Sequence, residues 1–248
     1  MDQFRTLTTP PPPDALAQGA SLALFLDFDG TLVDIAPTPE SIAVPDRLAM
    51  RLLTLSKRLD GRMALVSGRS LADLDEHLGP LGIARAGSHG SDCLSADGAR
   101  IGAPPRAIDP AIERELGVLA ASYPGLFLER KSHGAALHFR AAPALEADVT
   151  EAAQTIAERH GLQAKSGKCV VELVRPEASK ANAVQQFMSA APFAGAIPVF
   201  VGDDVTDEDG FRAASDLGGF GVIVGNRHET SARYRINDPS SVLRWLQI

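Results

Sequence analysis

Continuous apolar runs alternate with amphipathic stretches along most of the chain. Leu22–Phe28 is a run of buried-strand type that ends at Asp29-Gly30. Asp46–Leu59 carries Leu48, Leu52, Leu55 and Leu59 at helical spacing. Met63–Val66 predicts a second strand, Leu71–Leu78 a second helix and Ile83–Ala86 a third strand. This rhythm predicts a parallel sheet with helices on both faces.

The rhythm then changes. Asp109–Ser122 reads as a helix, Leu126–Arg130 and Ala135–Arg140 as two strands, and Ala144–His160 as a long helix. Leu162–Lys165 and Cys169–Val174 form a second strand pair. Helix, hairpin, helix, hairpin is an α+β pattern of its own, flanked by Pro104-Pro105 and Arg175-Pro176, and predicts an inserted domain over 106–177. The first rhythm resumes with helix Ser179–Ala190, strand Pro198–Val201, a helix around Asp207–Ala214, strand Gly221–Val224 and helix Ser240–Leu246. A discontinuous core domain, 20–105 and 178–248, therefore brackets the insert. Residues 1–19, with Pro10–Pro13, are expected to form a loose lead-in, since four prolines join neither a helix nor an inner strand.

Composition narrows the function. Of 248 residues, 45% are apolar, enough for a core in one large or two small domains. The 24 basic and 31 acidic residues give a net charge of −7, which argues against a nucleic-acid binder. An acidic protein that takes a phosphorylated metabolite needs a metal or local cations. Cys93 and Cys169 build no disulfide framework and sit in no zinc-type motif, which predicts a reducing compartment. The apolar run Ala20–Phe28, interrupted by Asp27, is shorter than the roughly 20 residues of a membrane span. No basic leader or small-residue cleavage site accompanies it. The expectation is a cytoplasmic protein without a membrane partner.

Two acidic clusters carry the chemistry. Asp27-Phe28-Asp29-Gly30-Thr31-Leu32 closes the most apolar strand, and ligands of open α/β sheets bind outside the carboxyl ends of strands. An Asp at such a place also caps turns, which accounts for one carboxylate but not for two. Gly202-Asp203-Asp204-Val205-Thr206-Asp207-Glu208 follows another strand, and its carboxylates repel one another unless a cation or a helix N-terminus neutralises them. Asp207 and Glu208 suit a helix start, while Asp203 and Asp204 are the better metal candidates. Oxygen donors without His or Cys favour a hard ion, Mg2+ first. Ser67-Gly68-Arg69 and Lys180 offer a hydroxyl, an amide and an ammonium suited to phosphate oxygens, although a Ser-Gly turn is commonly a cap and a helical Lys commonly solvated.

In the insert, Glu129 and Lys131 share one strand face, and His138 and Arg140 share a face of its neighbour. Lys168 and Glu172 alternate in the same way, over an opposite face of Leu128, Leu137, Phe139, Val171 and Leu173. Such a face suits a sugar with many hydroxyls. An ordinary solvated sheet face with cross-strand ion pairs has the same composition.

The motifs Asp27-Phe28-Asp29-Gly30-Thr31, Ser67, Lys180 and Gly202-Asp203-Asp204 resemble, in order and placement, those of the haloacid dehalogenase superfamily. From Leu24 to Leu246 the chain resembles the trehalose-6-phosphate phosphatase family. The likeness includes Pro37 and Pro39, Gly87-Ser88-His89-Gly90, Glu129-Arg130-Lys131, His138-Phe139-Arg140 and Gly167-Lys168-Cys169-Val170-Val171-Glu172. Ala181 stands where the family usually has Gly, and Ser91-Asp92 where it more often has Ala-Glu. The resemblance implies an α/β fold, a Rossmann-like parallel-sheet core with an inserted α+β C2-type cap domain. It also implies hydrolysis of trehalose 6-phosphate to trehalose and phosphate, the last step of trehalose biosynthesis, and a functional link to the synthase that makes that substrate.

By the same resemblance, Asp27 is the nucleophile that forms an aspartyl-phosphate and Asp29 the general acid and base, so the protonation of the two is expected to diverge. Mg2+ is expected on Asp27, the Asp29 carbonyl and Asp203, with Asp204 as a ligand or an outer partner. Ser67, the Gly68 amide and Lys180 hold phosphoryl oxygens, with Arg69 on the substrate side. Glu129, Lys131, Arg140, Lys168 and Glu172 read the sugar beneath a closing cap, with His89 assisting from the core. Related readings are a phosphatase of sucrose 6-phosphate or mannosyl-3-phosphoglycerate, a phosphomutase, and a regulatory module that keeps the fold without the chemistry.

Overall fold

The computed structural model of the chain describes residues 7–16, 19–36, 41–131, 133–167 and 169–248. Lys168, Pro37 and Pro39 lie outside the described residues. The chain opens with Pro13–Leu16 (α1), Leu22–Leu26 (β1), Leu48–Arg58 (α2), Met63–Val66 (β2), Leu71–Leu78 (α3) and Ala84–Gly87 (β3). Two short strands follow, Asp92–Leu94 (β4) and Arg100–Ile101 (β5). Next come Pro110–Ser122 (α4), Phe127–Lys131 (β6), Gly134–His138 (β7), Glu146–Arg159 (α5), Gln163–Gly167 (β8) and Val170–Val174 (β9). The chain closes with Lys180–Met188 (α6), Ile197–Gly202 (β10), Asp207–Asp216 (α7), Phe220–Val224 (β11), Tyr234–Ile236 (β12) and Pro239–Trp245 (α8). It divides into two compact units, Met1–Ala103 with Ser179–Ile248, and Pro104–Ala178. Among the described residues, no helix is long and apolar enough to cross a membrane.

The first unit is built on a sheet ordered β12-β11-β10-β1-β2-β3-β4-β5 among the described residues. The strands from β12 to β3 run parallel, and β4 and β5 turn back antiparallel. All five residues of β1 are buried because both faces of the sheet are covered. Leu22, Leu24 and Leu26 point into one layer with Leu52 and Leu55 of α2, Leu74 of α3 and Val242 of α8. Ala23 and Phe25 point into the other, where the Phe25 ring lies 6.0 Å from Phe187 and 5.6 Å from Phe193. A continuous hydrophobic run thus hides a period of two that serves two cores. Strand order reverses around β1: the chain steps outward through β2 and β3 on one side and through β10, β11 and β12 on the other. The crevice between the carboxyl ends of β1 and β10 is therefore the topological switch point.

Several expectations need correction here. The first strand stops at Leu26, with Asp27 keeping one backbone bond to β10 before the chain turns away at Phe28. Strands β4, β5 and β12 were not anticipated, being too short to show a period. The lead-in is not loose over residues 7–16: Pro10 and Pro13 are buried, the Thr8 carbonyl accepts from the Arg235 amide (3.0 Å), and the Pro11 carbonyl accepts from Trp245 Nε1 (2.8 Å). Proline lacks an N–H, but its carbonyl accepts and its ring packs, so the segment straps β12 and α8.

In the second unit the sheet order is β6-β7-β9-β8 among the described residues, antiparallel throughout. Asp109 caps α4 by accepting from the Ala111 amide (2.7 Å), and Pro110 occupies the first turn, where its missing N–H is not needed. Ile112 and Leu116 of α4 and Val149, Ala153 and Ile156 of α5 pack on Ala135, Leu137, Val171 and Leu173. The alternate positions, Phe127, Glu129, Lys131, His138, Lys165 and Glu172, lie on the face turned away from both helices.

Candidate active site

Asp27 continues the β1–β10 register, its amide donating to the Val201 carbonyl (2.9 Å). The chain then turns tightly: Gly30 has φ +75°, its amide donates to the Val33 carbonyl (2.8 Å), and that of Leu32 donates to Phe28 (2.9 Å). A Cβ on Gly30 would stand 2.1 Å from Asp203 Oδ2, so glycine serves both the left-handed turn and the approach of β10's acid. Thr31 Oγ1 lies 3.5 Å from Asp27 Oδ2.

Lys180 enters from the first turn of α6, whose cap Ser179 accepts from the Asn182 amide (3.1 Å). Its Nζ donates to Asp27 Oδ1 (2.8 Å) and Asp207 Oδ1 (2.5 Å). Asp207, fully buried, also accepts through Oδ2 from the amides of Asp203 (3.0 Å) and Asp204 (2.9 Å). One carboxylate thus fixes both the ammonium and the loop that carries Asp203.

Charge and burial compete throughout this cluster. Burial pushes the Asp27 carboxyl well above the usual carboxylate range; Lys180 opposes that, while Asp207 and Asp203 add to it. Asp203 is pushed up to about 7 by burial and by Asp207 and Asp204, against Lys180. Burial disfavours the Lys180 ammonium, yet Asp207 and Asp27 outweigh it and raise its pKa above the ordinary lysine value. The carboxylate oxygens of Asp27, Asp203 and Asp207 come within 4.8 Å of one another. Clustered oxygen donors that resist sharing charge, around a glycine cradle, fit a small hard divalent cation.

From sequence alone Asp207 suits only a helix start. Its signal was the four-residue step from Asp203 at a strand-to-helix turn. Asp204, expected as a ligand or outer partner, falls outside the three-carboxylate cluster; it is exposed, and its Oδ1 accepts from the Val205 amide (2.6 Å).

Arg69, expected on the substrate side, is engaged by acidic side chains. Its guanidinium forks onto Asp29 (Nε to Oδ2 2.7 Å, Nη2 to Oδ1 2.8 Å), while Nη1 donates to Asp73 (2.7 Å) and meets His77 Nε2 (3.1 Å). Both oxygens of Asp29 are therefore engaged by Arg69 rather than turned to Asp27. Ser67 is buried at the end of β2, its Oγ accepting from the Arg69 amide (3.1 Å). A Cβ on Gly68 would lie 2.8 Å from His89 Cε1, so the imidazole sits directly over that glycine. Ser88, His89 and Gly90 all have positive φ (54°, 56° and 93°). This strained turn is held by the Ser88 amide on the Arg69 carbonyl (2.7 Å) and the His89 amide on Ser67 (3.0 Å).

On the open sheet face of the second unit, Glu129, Ala136, Glu172 and Lys165 stand in one cross-strand row. Lys131 pairs with Glu172 and lies 4.0 Å from Glu129, whose Oε2 is 2.8 Å from His138 Nε2. These four expected residues come together around the small, buried Ala136. Arg140 is exposed in the turn beyond β7 and does not share that strand's face as expected, because the strand ends at His138. Lys165 was missed in sequence; it shares the row and donates to the Ala178 carbonyl (2.5 Å).

The family model described as trehalose-phosphatase matches residues 25–240. The chain is 40% identical over 231 residues to the trehalose-6-phosphate phosphatase of Escherichia coli (strain K12), covering 92% of this chain and 86% of that one. It is 39% identical over 205 residues to a probable trehalose-phosphate phosphatase of Sinorhizobium fredii (strain NBRC 101917 / NGR234), covering 82% and 77%. In fold it is similar to the C-terminal domain of the C. albicans trehalose-6-phosphate phosphatase, with a TM-score of 0.79 at 21% identity and 98% of each chain covered.

Proposed function

Since the chain belongs to the trehalose-phosphatase family and is a phosphatase, we propose that it hydrolyses trehalose 6-phosphate to trehalose and phosphate, with the chemistry carried by the carboxylate cluster at the β1–β10 switch point. The observation that supports this most is the Lys180 bridge between Asp27 and Asp207, which aims a fixed cation and a carboxylate into one buried crevice.

In this reading the Asp27 carboxylate attacks phosphorus in line, and the sugar oxygen leaves as its bond to phosphorus breaks. Asp29 gives that oxygen a proton, then takes one from the water that splits the aspartyl-phosphate. With both Asp29 oxygens held by Arg69, delivery of the proton requires one arm of the fork to open. The Ser67 hydroxyl, the Gly68 amide and Lys180 hold the phosphoryl oxygens. Asp27, Asp203 and the Asp29 carbonyl would hold Mg2+, which supplies positive charge against the phosphoryl oxygens. Asp207, both of whose oxygens already accept from protein donors, sets the position of Lys180 and of the Asp203 loop. Sugar recognition is assigned to Glu129, Lys131, Glu172, Arg140 and Lys168 of the second unit, and to His89.

The test is phosphate release with excess Mg2+ across trehalose 6-phosphate, sucrose 6-phosphate, glucose 6-phosphate and mannosyl-3-phosphoglycerate. Preferential turnover of trehalose 6-phosphate with free phosphate as product is the expected result. A different preferred sugar would contradict the substrate, and an isomeric phosphate as product would contradict hydrolysis.

A further inference from the structure

Among the described residues, a large apolar side chain stands exposed on the open sheet face of the second unit. Phe127 begins β6 and is 64% exposed, although the neighbouring Leu128 packs against the core of the same unit. In the β6–β7 ladder it stands directly opposite His138, with ring centroids 6.0 Å apart and planes tilted by 40°. Glu129 and Lys131 follow at alternate positions on the same face, and Glu129 Oε2 fixes the far side of the His138 ring at 2.8 Å. The exposed ring thus stands beside a carboxylate, an imidazole and an ammonium, and covering it would remove apolar area from water. A pyranose matches that mixture: its axial C–H bonds form an apolar face, and its equatorial hydroxyls need acceptors and donors around the rim. Phenyl groups stack on such faces with little entropy to lose.

We propose that Phe127, edged by the His138 imidazole, is a stacking platform for a pyranose ring of the substrate and sets the preference for glycosyl phosphates over small phosphomonoesters. This rests on the reading of that sheet face as the sugar-recognising surface.

The experiment is steady-state kinetics of the full chain with Mg2+, using Phe127→Ala and Phe127→Tyr on trehalose 6-phosphate and on p-nitrophenyl phosphate. Phe127→Ala is expected to raise KM for trehalose 6-phosphate about tenfold with kcat little changed, the scale of one lost aromatic contact. Competitive inhibition by free trehalose should weaken in parallel, p-nitrophenyl phosphate turnover should stay unchanged, and Phe127→Tyr should restore most of the loss. An unchanged KM for trehalose 6-phosphate, or equal losses on both substrates, would overturn the platform while leaving the substrate reading in place. Wild-type protein that cleaves p-nitrophenyl phosphate but not trehalose 6-phosphate would overturn the substrate reading itself, and the platform with it.

Discussion

Acids and bases are mixed in two regions of this molecule, and the two treat charge in opposite ways. At the ends of β1 and β10, Lys180 and Asp207 are 3% and 0% exposed, and the Lys180 ammonium and both Asp207 oxygens have protein partners. On the sheet face of the insert, the side chains of Glu129 and His138 remain 44% and 37% exposed while pairing across strands. Buried charges interact strongly and cannot be removed singly without exposing the cost of the others. Half-exposed charges are screened and replaceable by water. The first arrangement suits bond breaking at one atom; the second suits reading a ligand rich in hydroxyls.

That contrast can be broken at graded points. Asp27→Asn should abolish turnover of every phosphomonoester, p-nitrophenyl phosphate included, because the proposed nucleophile is lost; residual phosphate release above background would remove Asp27 from that role. Lys180→Met should cost about 3–5 kcal/mol of stability, since it strands buried carboxylates, as denaturant unfolding would show. A smaller effect is expected from pH. Asp203 lies near 7 in the folded protein, above its unfolded value, so the folded state holds the extra proton. Its contribution to stability is present at low pH and is lost as pH rises toward 7. The melting temperature of the cation-free protein should therefore fall by a few degrees from about pH 5 to about pH 8. Asp27, also raised by burial, acts in the same direction, so Mg2+ should flatten that slope and Asp203→Asn should reduce it; a slope that rises instead would contradict the assignment. The smallest effect is expected from Asp204→Asn, within about twofold in activity, since its exposed carboxylate lies outside the cluster.

Much of this was legible in the sequence where one residue's neighbours carry the signal. The bounds of β2 and α3 agree residue for residue with the apolar periodicity, and Asp27, Asp203 and Lys180 stand, as expected, just beyond strand ends and at a helix start. What was not legible depends on distant partners. Asp207 looks like a helix-dipole residue until Lys180, 27 positions away, is seen to reach it. Nothing local to Arg69 points to Asp29, 40 positions away, onto which its guanidinium forks. β12 spans three residues and β5 two, too few for any period. The Pro10–Pro13 strap is recognisable only once Trp245 donates to it.

The division of labour between the two regions is tested most directly by the ratio of kcat/KM for trehalose 6-phosphate to that for p-nitrophenyl phosphate in Glu172→Ala. Glu172 pairs with Lys131 in the insert and lies outside the carboxylate cluster. The ratio should fall about tenfold or more, with p-nitrophenyl phosphate turnover kept within about twofold of wild type. Equal losses on both substrates, leaving the ratio unchanged, would contradict the separation of recognition from chemistry.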